Sequence, residues 1–371
     1  MEETEERLAN DRVRFGVIGT SWIAGWHARW INSHPRGEVV AVCGPDPACT
    51  RSVAVAWGAS EVYADYRELM DRAEIDAVVI ATPDYLHHQM VLHAARRGYH
   101  VICEKPLALS LDHAREMLAA VEAAGVHHMT FFTYRWGPHL VRMKELIDEG
   151  YVGRPLYAEL RYSQPSIPTL DEYGAPAHDW HYHPEQGTGI LGRIGSHLID
   201  VALWMLGDID SVTCVGARHF DRLGPVGRGM VQPADTVMIG ARFASGAVGS
   251  LRASGSGTTP SQEQLLSIRG DRGTLEATLE PSLHGAPAGQ PATLIAGPDD
   301  LWDEVDLDQP LLGRVADLFA AKPVADRQFI EDIVSGRRTV PSLADGVRVQ
   351  AVMHAAVEAE RAGLEQSVPV R

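Results

Sequence analysis

Arg14-Phe15-Gly16-Val17-Ile18, running straight into Gly19-Thr20-Ser21-Trp22-Ile23-Ala24, is the stretch that decides the fold. The first part is a short apolar run closed by a glycine, the pattern of a buried strand. An amphipathic stretch over residues 22–33 has helical spacing. A strand that turns through glycine into a helix opens a β-α-β unit. The turn stands where the dinucleotide fingerprint G-x-G-x-x-G/A would stand. Gly19 permits the tight turn, and Ala24 is small enough for the helix to pack close to the strand. Ser21 takes the place of the second glycine, which a small residue with an ordinary φ can fill. The amides of Ser21, Trp22 and Ile23, at the helix start, would then face a pyrophosphate. A plain strand–helix turn fits the same residues equally well; the surrounding pattern favours the nucleotide.

Moving outward, residues 39–43, 77–81 and 100–103 read as further strands, and 47–57, 87–97 and 110–124 as helices. Strands alternating with helices imply a parallel, doubly wound sheet. The pattern changes after Thr133. A helix over 138–149 and a strand over 156–163 precede a Pro/Gly-rich loop over 164–192 and a helix over 196–206. Strand-like runs follow between 212 and 295, among them 237–243, 247–253 and 264–269, and their short turns suggest an antiparallel sheet. Helices over 327–335 and 343–362 end the pattern. The expected organisation is α/β: a frayed tail over 1–11, a Rossmann dinucleotide-binding domain over 12–133, and an α/β substrate and oligomerisation domain over 134–371.

A chain of 371 residues is long for one core and comfortable for two. Its 33 basic and 49 acidic residues leave a net charge of −16, which repels nucleic acid and anionic membranes alike. Cys43, Cys49, Cys103 and Cys214 form no C-x-x-C pair. No run approaches the ~20 apolar residues of a membrane span, and the charged first residues lack a signal-peptide core, so a cytoplasmic protein is expected. In His178-Asp179-Trp180-His181-Tyr182-His183 no acidic or cysteine partner stands at a diagnostic ligand spacing, so no metal is expected. Trp180 and Tyr182 read there as packing or sugar-stacking rings. Cys43 is followed by Gly44-Pro45, with no carboxylate for an adenosine ribose, while Asp46 before Pro47 reads as a helix cap. Arg51, one helical turn on, can pair with a 2′-phosphate. The cofactor expectation is NADP or NAD, with a lean to NADP.

Val101-Ile102-Cys103-Glu104-Lys105-Pro106-Leu107 places a Glu-Lys-Pro triplet directly after a late Rossmann strand. This resembles the Gfo/Idh/MocA family of oxidoreductases. Ala81-Thr82-Pro83-Asp84 with His87 is similar to the family's strand end beside the nicotinamide, and Phe132-Thr133-Tyr134-Arg135 to its interdomain crossover. Gly195-Ser196-His197 with Asp200 resembles its second-domain catalytic helix, and Pro341-Ser342-Leu343-Ala344-Asp345-Gly346 its C-terminal helix start. The resemblance implies an NAD(P)-dependent dehydrogenase or reductase of a sugar, inositol or sugar derivative. It implies an open sheet in the second domain that pairs copies into a homodimer or homotetramer. Thr82, Pro83, His87, Glu104 and Lys105 would lie around the cofactor, and Tyr134, Trp180, Arg193 and Asp200 around the substrate.

Lys105 matches the family's lysine. A lysine accepts a hydroxyl proton when burial or a nearby positive charge favours its neutral form, while the nicotinamide takes the hydride. His197, near a helix start, reads as a donor or acceptor to the substrate hydroxyl, or else as a capping or core histidine. Asp200 shares its helix face and can bind a second hydroxyl or orient the imidazole. The family's D-x-G-x-H carries Arg193 in place of the aspartate. Arg193 can disfavour a protonated lysine, bind an anionic substrate group, or turn to solvent. The other function class is a cofactor-binding sensor or scaffold with little turnover. Ser21 and Arg193 leave it open, whereas Glu104, Lys105 and His197 favour an enzyme.

Overall fold

The computed structural model describes residues 12–164, 180–219, 231–256, 263–278, 281–302, 306, 308–309 and 311–369. The chain divides into two compact units. One lies within Met1–Ala108, Asp112–Phe131 and Glu304–Val347, the other within Leu109–Leu111, Phe132–Asp303 and Arg348–Arg371.

In the first unit β1 (Val13–Ile18), β2 (Gly37–Cys43), β3 (Glu61–Tyr63), β4 (Ala77–Ile80), β5 (His100–Cys103) and β6 (His128–Thr130) form a parallel sheet ordered β3-β2-β1-β4-β5-β6. Every residue of β4 is buried, because a strand covered by helices on both faces has no wet side and its sequence does not alternate. Between the strands run α1 (Trp22–Ser33), α2 (Pro47–Trp57), α3 (Tyr66–Arg72), α4 (Asp84–Arg97) and α5 (Leu111–Ala124). Asp46 caps α2 as expected, accepting from the amides of Ala48 and Cys49. β3 and α3 were not picked out from sequence; a three-residue strand and a two-turn helix are too short to show a period.

The second unit holds a 3₁₀ turn (Thr133–Trp136), α6 (Pro138–Asp148), β7 (Pro155–Ser163), a second 3₁₀ turn (Trp180–Tyr182), a π turn (Leu191–Gly195) and α7 (Ser196–Leu206). β8 (Ile209–Ala217), β9 (Thr236–Phe243), β10 (Val248–Ser254), β11 (Glu263–Gly270), β12 (Gly273–Thr278), β13 (Ser282–Pro287) and β14 (Thr293–Ala296) follow, then the short α8 (Pro298–Leu301). With β15 (Gln366–Ser367) the strands form one sheet ordered β14-β13-β12-β11-β7-β10-β9-β8-β15. β7 pairs parallel with β10, and the other neighbours are antiparallel. β9 alternates strictly: Val237, Ile239, Ala241 and Phe243 are buried, whereas Met238, Gly240 and Arg242 are exposed. One face therefore covers the core and the other stays open, with Val215, Met238 and Val248 exposed.

A single boundary near residue 133 does not describe these units, because Glu304–Val347 belongs with the first. There α9 (Leu311–Ala321) and α10 (Ala325–Ser335) pack on α1. The Trp30 indole donates to the Ala316 carbonyl at 2.9 Å, and its ring lies 5.0 Å from that of Phe319. A buried indole N–H needs an acceptor, and this one is found 286 positions along the chain. α11 (Leu343–Ala362) follows, its first residues in this unit; Ser342 at its start donates its amide to Asp345 at 2.8 Å.

Three imidazoles give the fold an acid limit. Burial pushes His100 and His128, at the amino ends of β5 and β6, down to about 4, with the His127 charge adding to both. Burial alone does the same to His139, in the first turn of α6. Because the folded values lie below the ordinary 6.5, this stability is present above pH 6.5 and is lost as pH falls toward 4. Urea unfolding midpoints should therefore fall steadily across that window. His139→Phe, which removes one of the three groups, should make the fall shallower; an unchanged slope would show that His139 does not contribute.

Candidate active site

All strands of the first sheet release their carboxyl ends on one edge, and the strand order reverses at β1, with β2 on one side and β4 on the other. In open α/β sheets a reversal of this kind is where the ligand crevice stands. Gly19 makes the first turn with φ +124°, and its amide donates 2.9 Å to the Cys43 carbonyl. A Cβ here would stand 2.3 Å from the Ala81 carbonyl oxygen, so only glycine lets the backbone pass the end of β4. Ser21 is extended, with φ −75°, as its replacement of a glycine requires. Its side chain makes no cap bond to α1, and the first turn of α1 holds no acid. The cradle at Gly19 and the first-turn amides of α1 together fit a dinucleotide pyrophosphate. Trp22 is exposed and meets Trp26 edge-on at 5.0 Å; Ile23 is half-buried, and Arg51 is exposed on α2. Gly44 is a glycine for lack of room: a Cβ would meet Thr20 Cγ2 at 2.5 Å and Thr50 Oγ1 at 2.8 Å. An aspartate there would have to displace Thr20.

The turns after β4 and β5 are tied together from beneath. His87 was expected to face the cofactor. It is instead fully buried, with Nε2 2.9 Å from the Thr82 carbonyl and Nδ1 3.1 Å from that of Pro106. Burial lowers its pKa, and the neutral ring has one N–H to donate, so it bonds one of these carbonyls and only packs against the other, between Thr82, beside Pro83, and the segment after β5. Glu104 also turns inward. Its Oε1 lies 3.3 Å from His27 Nε2, and its Oε2 accepts from the Lys105 amide at 3.1 Å. Burial alone would raise this carboxyl. The His27 hydrogen bond, the charges of Lys105 and His27 and the Lys105 amide outweigh burial and hold it below its ordinary range. Lys105 follows, half-buried, and its bond to Pro106 is cis. Asp84, the first residue of α4, was not singled out from sequence. Burial pushes its carboxyl well up against the pull of the Lys105 charge. Lys105 thus acts electrostatically on two buried carboxyl groups, one held ionised and one pushed toward its acid form.

In the second unit the His197 ring stacks on Tyr134 at 4.2 Å and 11°, with Phe132 edge-on at 6.1 Å. Burial, reinforced by Tyr162, pushes the Tyr134 phenol well up. Asp200 was expected to bind a substrate hydroxyl or orient the imidazole. It is fully buried, and its carboxylate accepts from Arg135 Nε at 2.9 Å and Nη2 at 2.6 Å. Arg135 was named only within the crossover segment, and its spacing from Asp200, 65 positions, left no sequence signal for the pair. Arg193 is half-buried in the π turn before α7, where the wider turn changes its phase against His197 from that of an α-helix. Trp180 is half-buried and stacks on His181 at 3.7 Å, while Tyr182 is fully buried. His178 and Asp179 lie outside the described residues. Among the described residues no three His, Cys, Asp or Glu side chains gather as a metal site would require.

Residues 13–132 match the family model described as "Oxidoreductase family, NAD-binding Rossmann fold", and residues 140–276 match the "GFO/IDH/MocA C-terminal domain". The levoglucosan dehydrogenase of Pseudarthrobacter phenanthrenivorans is 30% identical over 351 residues, 87% of this chain and 87% of that protein. The inositol 2-dehydrogenase of Rhizobium meliloti is 27% identical over 347 residues, 93% of this chain and 96% of its own length. A solved structure of levoglucosan dehydrogenase in complex with NADH and levoglucosan has a TM-score of 0.83 and 27% identity, over 97% of this chain and all 100% of that one.

Asp200→Asn leaves the buried Arg135 guanidinium facing a neutral amide. Breaking a buried pair from one side costs about 3–5 kcal/mol, and urea unfolding should show a loss of that order. Stability close to that of the unaltered protein would return Asp200 to the substrate ligands.

Proposed function

Because the chain belongs to the GFO/IDH/MocA family of oxidoreductases, we propose that it exchanges a hydride between nicotinamide and a hydroxyl- or keto-bearing carbon of a sugar, inositol or sugar derivative, with Lys105 taking or giving the proton. The observation that carries this reading is Lys105 itself, on the carboxyl edge of the parallel sheet beside the strand-order reversal, next to Glu104 and Asp84. The bound nicotinamide supplies the hydride chemistry. The chain's own part is to hold phosphate at Gly19 and the start of α1, and to hold and move a proton at Lys105 Nζ. The buried His87 ring, packed between the Thr82 and Pro106 carbonyls, fills the space under those turns. The names of the levoglucosan and inositol dehydrogenases support a polyhydroxylated substrate.

His197, braced on Tyr134, is the proposed second hydroxyl partner, with Trp180 as a stacking surface for a sugar ring. Arg193 is proposed to face the substrate and to favour an acidic group on it, such as a uronate carboxylate. The lean to NADP rests on Arg51, exposed on α2, and on a Gly44 position too crowded for a ribose-binding carboxylate. The open sheet face, with Val215, Met238 and Val248 exposed, supports pairing with a second copy.

Lys105→Met should lower turnover by about 10²–10⁴-fold, the usual contribution of a positioned acid or base, while dinucleotide binding persists. The assay follows nicotinamide absorbance over a panel of sugars, anhydrosugars, inositols and sugar acids with both cofactors. Turnover near that of the unaltered protein would remove Lys105 from the chemistry. Arg51→Ala should weaken NADP binding by about tenfold, the lower end for a charged hydrogen bond, and leave NAD affinity unchanged. Calorimetry that finds both affinities unchanged would separate Arg51 from cofactor choice.

A further inference from the structure

α1 buries a stripe of Ala24, His27, Ala28 and Ile31, and one member of that stripe is polar. The His27 ring is wholly enclosed, with the Phe131 ring at 4.3 Å and that of Trp30 at 5.8 Å. Its Nδ1 lies 2.7 Å from Asp326 Oδ1, and its Nε2 lies 3.3 Å from Glu104 Oε1. Burial raises the Asp326 carboxyl, and the His27 charge and hydrogen bond oppose that rise; with both carboxylates ionised they only accept, so the ring between them donates from both nitrogens and is a cation. The second oxygen of Glu104 receives the Lys105 amide at 3.1 Å. An unbroken polar chain therefore runs from Asp326, through His27 and Glu104, to the backbone of Lys105. Asp326 stands in the first turn of α10, 299 positions from His27. The residue before it, Ala325, has φ +53°, a conformation that side chains rarely adopt and that the surrounding packing must hold.

We propose that His27 and Asp326 are positioning residues for Lys105: Asp326 keeps His27 a cation, and His27 keeps Glu104 ionised and fixed against the Lys105 backbone. The inference rests on the assignment of proton transfer to Lys105. A buried carboxylate without a cationic partner takes up a proton. The His27 hydrogen bond is the foremost influence opposing burial at Glu104. At His27 burial favours the neutral ring, but Asp326 and then Glu104 outweigh it and raise the imidazole to about 9. The charged groups that face this chain are Asp326 from α10, Glu104 and Lys105 after β5, and Asp84 at the start of α4; Trp30 and Phe131 do not titrate here.

The test reads the resting full-length protein by NMR and needs neither substrate nor turnover. A failure here is thus distinct from a failure of Lys105→Met to reduce turnover. In ¹⁵N-histidine-labelled protein the His27 nitrogens should keep the shifts of a doubly protonated ring up to about pH 9. A neutral ring at pH 7 overturns the inference without any variant. The chain has three lysines, Lys105, Lys144 and Lys322, so ¹³Cε-lysine labelling resolves Lys105 directly. Glu104→Gln removes an anion beside Lys105 and should move the Lys105 Cε signal toward the neutral-amine position at a fixed pH. Asp326→Asn and His27→Gln should move it the same way by a smaller amount, and should add nothing in the Glu104→Gln background. Movement the other way, no movement, or movement that persists in that background would overturn the relay.

Discussion

A parallel sheet can gather its chemistry on only one edge, because each strand must hand its carboxyl end to a helix that returns over the sheet. In this chain that constraint brings Gly19, Gly44, Thr82 and Lys105 to a common edge from four separate strands. It also crowds them. The backbone at Gly19 passes so close to the end of β4 that no side chain fits, and Gly44 is pressed in the same way between Thr20 and Thr50. The proposed cofactor and proton-transfer roles depend on that shared edge.

Crowding also buries charge, and the chain meets that cost by pairing. Glu104 faces His27 and the Lys105 amide, His27 faces Asp326, and Asp200 faces Arg135. Each is a group that would be costly to desolvate alone. The clamps differ in consequence. Arg135 with Asp200 locks the 3₁₀ turn to α7 within the second unit. The His27 chain lies under the segment that carries Lys105, so its charge state bears on the residue assigned the chemistry. His87 joins the same segment to Thr82 through carbonyl contacts and without a charge of its own.

Much of this was legible in the residues. The apolar run ending at Gly19, the periodic stretch after it and the alternation that follows mark a parallel sheet with its nucleotide turn. Pro47 after Asp46 marks a helix start, because a proline there gives up an amide that would go unpaired anyway. The Glu-Lys-Pro triplet marked the family. These signals lie within a few residues of one another, and their meaning comes from local backbone geometry, which a sequence carries whole.

What lay hidden was partnership. The periodicity of α1 announces a face that must be covered, yet nothing in it says that the cover is α9 and α10, so the return of Glu304–Val347 to the first unit went unread. His87, Glu104 and Asp200 read as ligand-facing because they are polar and sit in the right segments. The tertiary structure turned each inward, toward carbonyls, a histidine and an arginine respectively. His27 and Asp326 carried no signal at all, being a histidine in an apolar stripe and an aspartate near a helix start. The sequence by itself determined most of the longer elements, the glycine turn after β1 and the family, because local hydrogen bonding and hydrophobic period act over neighbours. Only the folded chain decided which buried charges meet, because a buried charge is stabilised by whatever packing brings beside it, here across 299 positions.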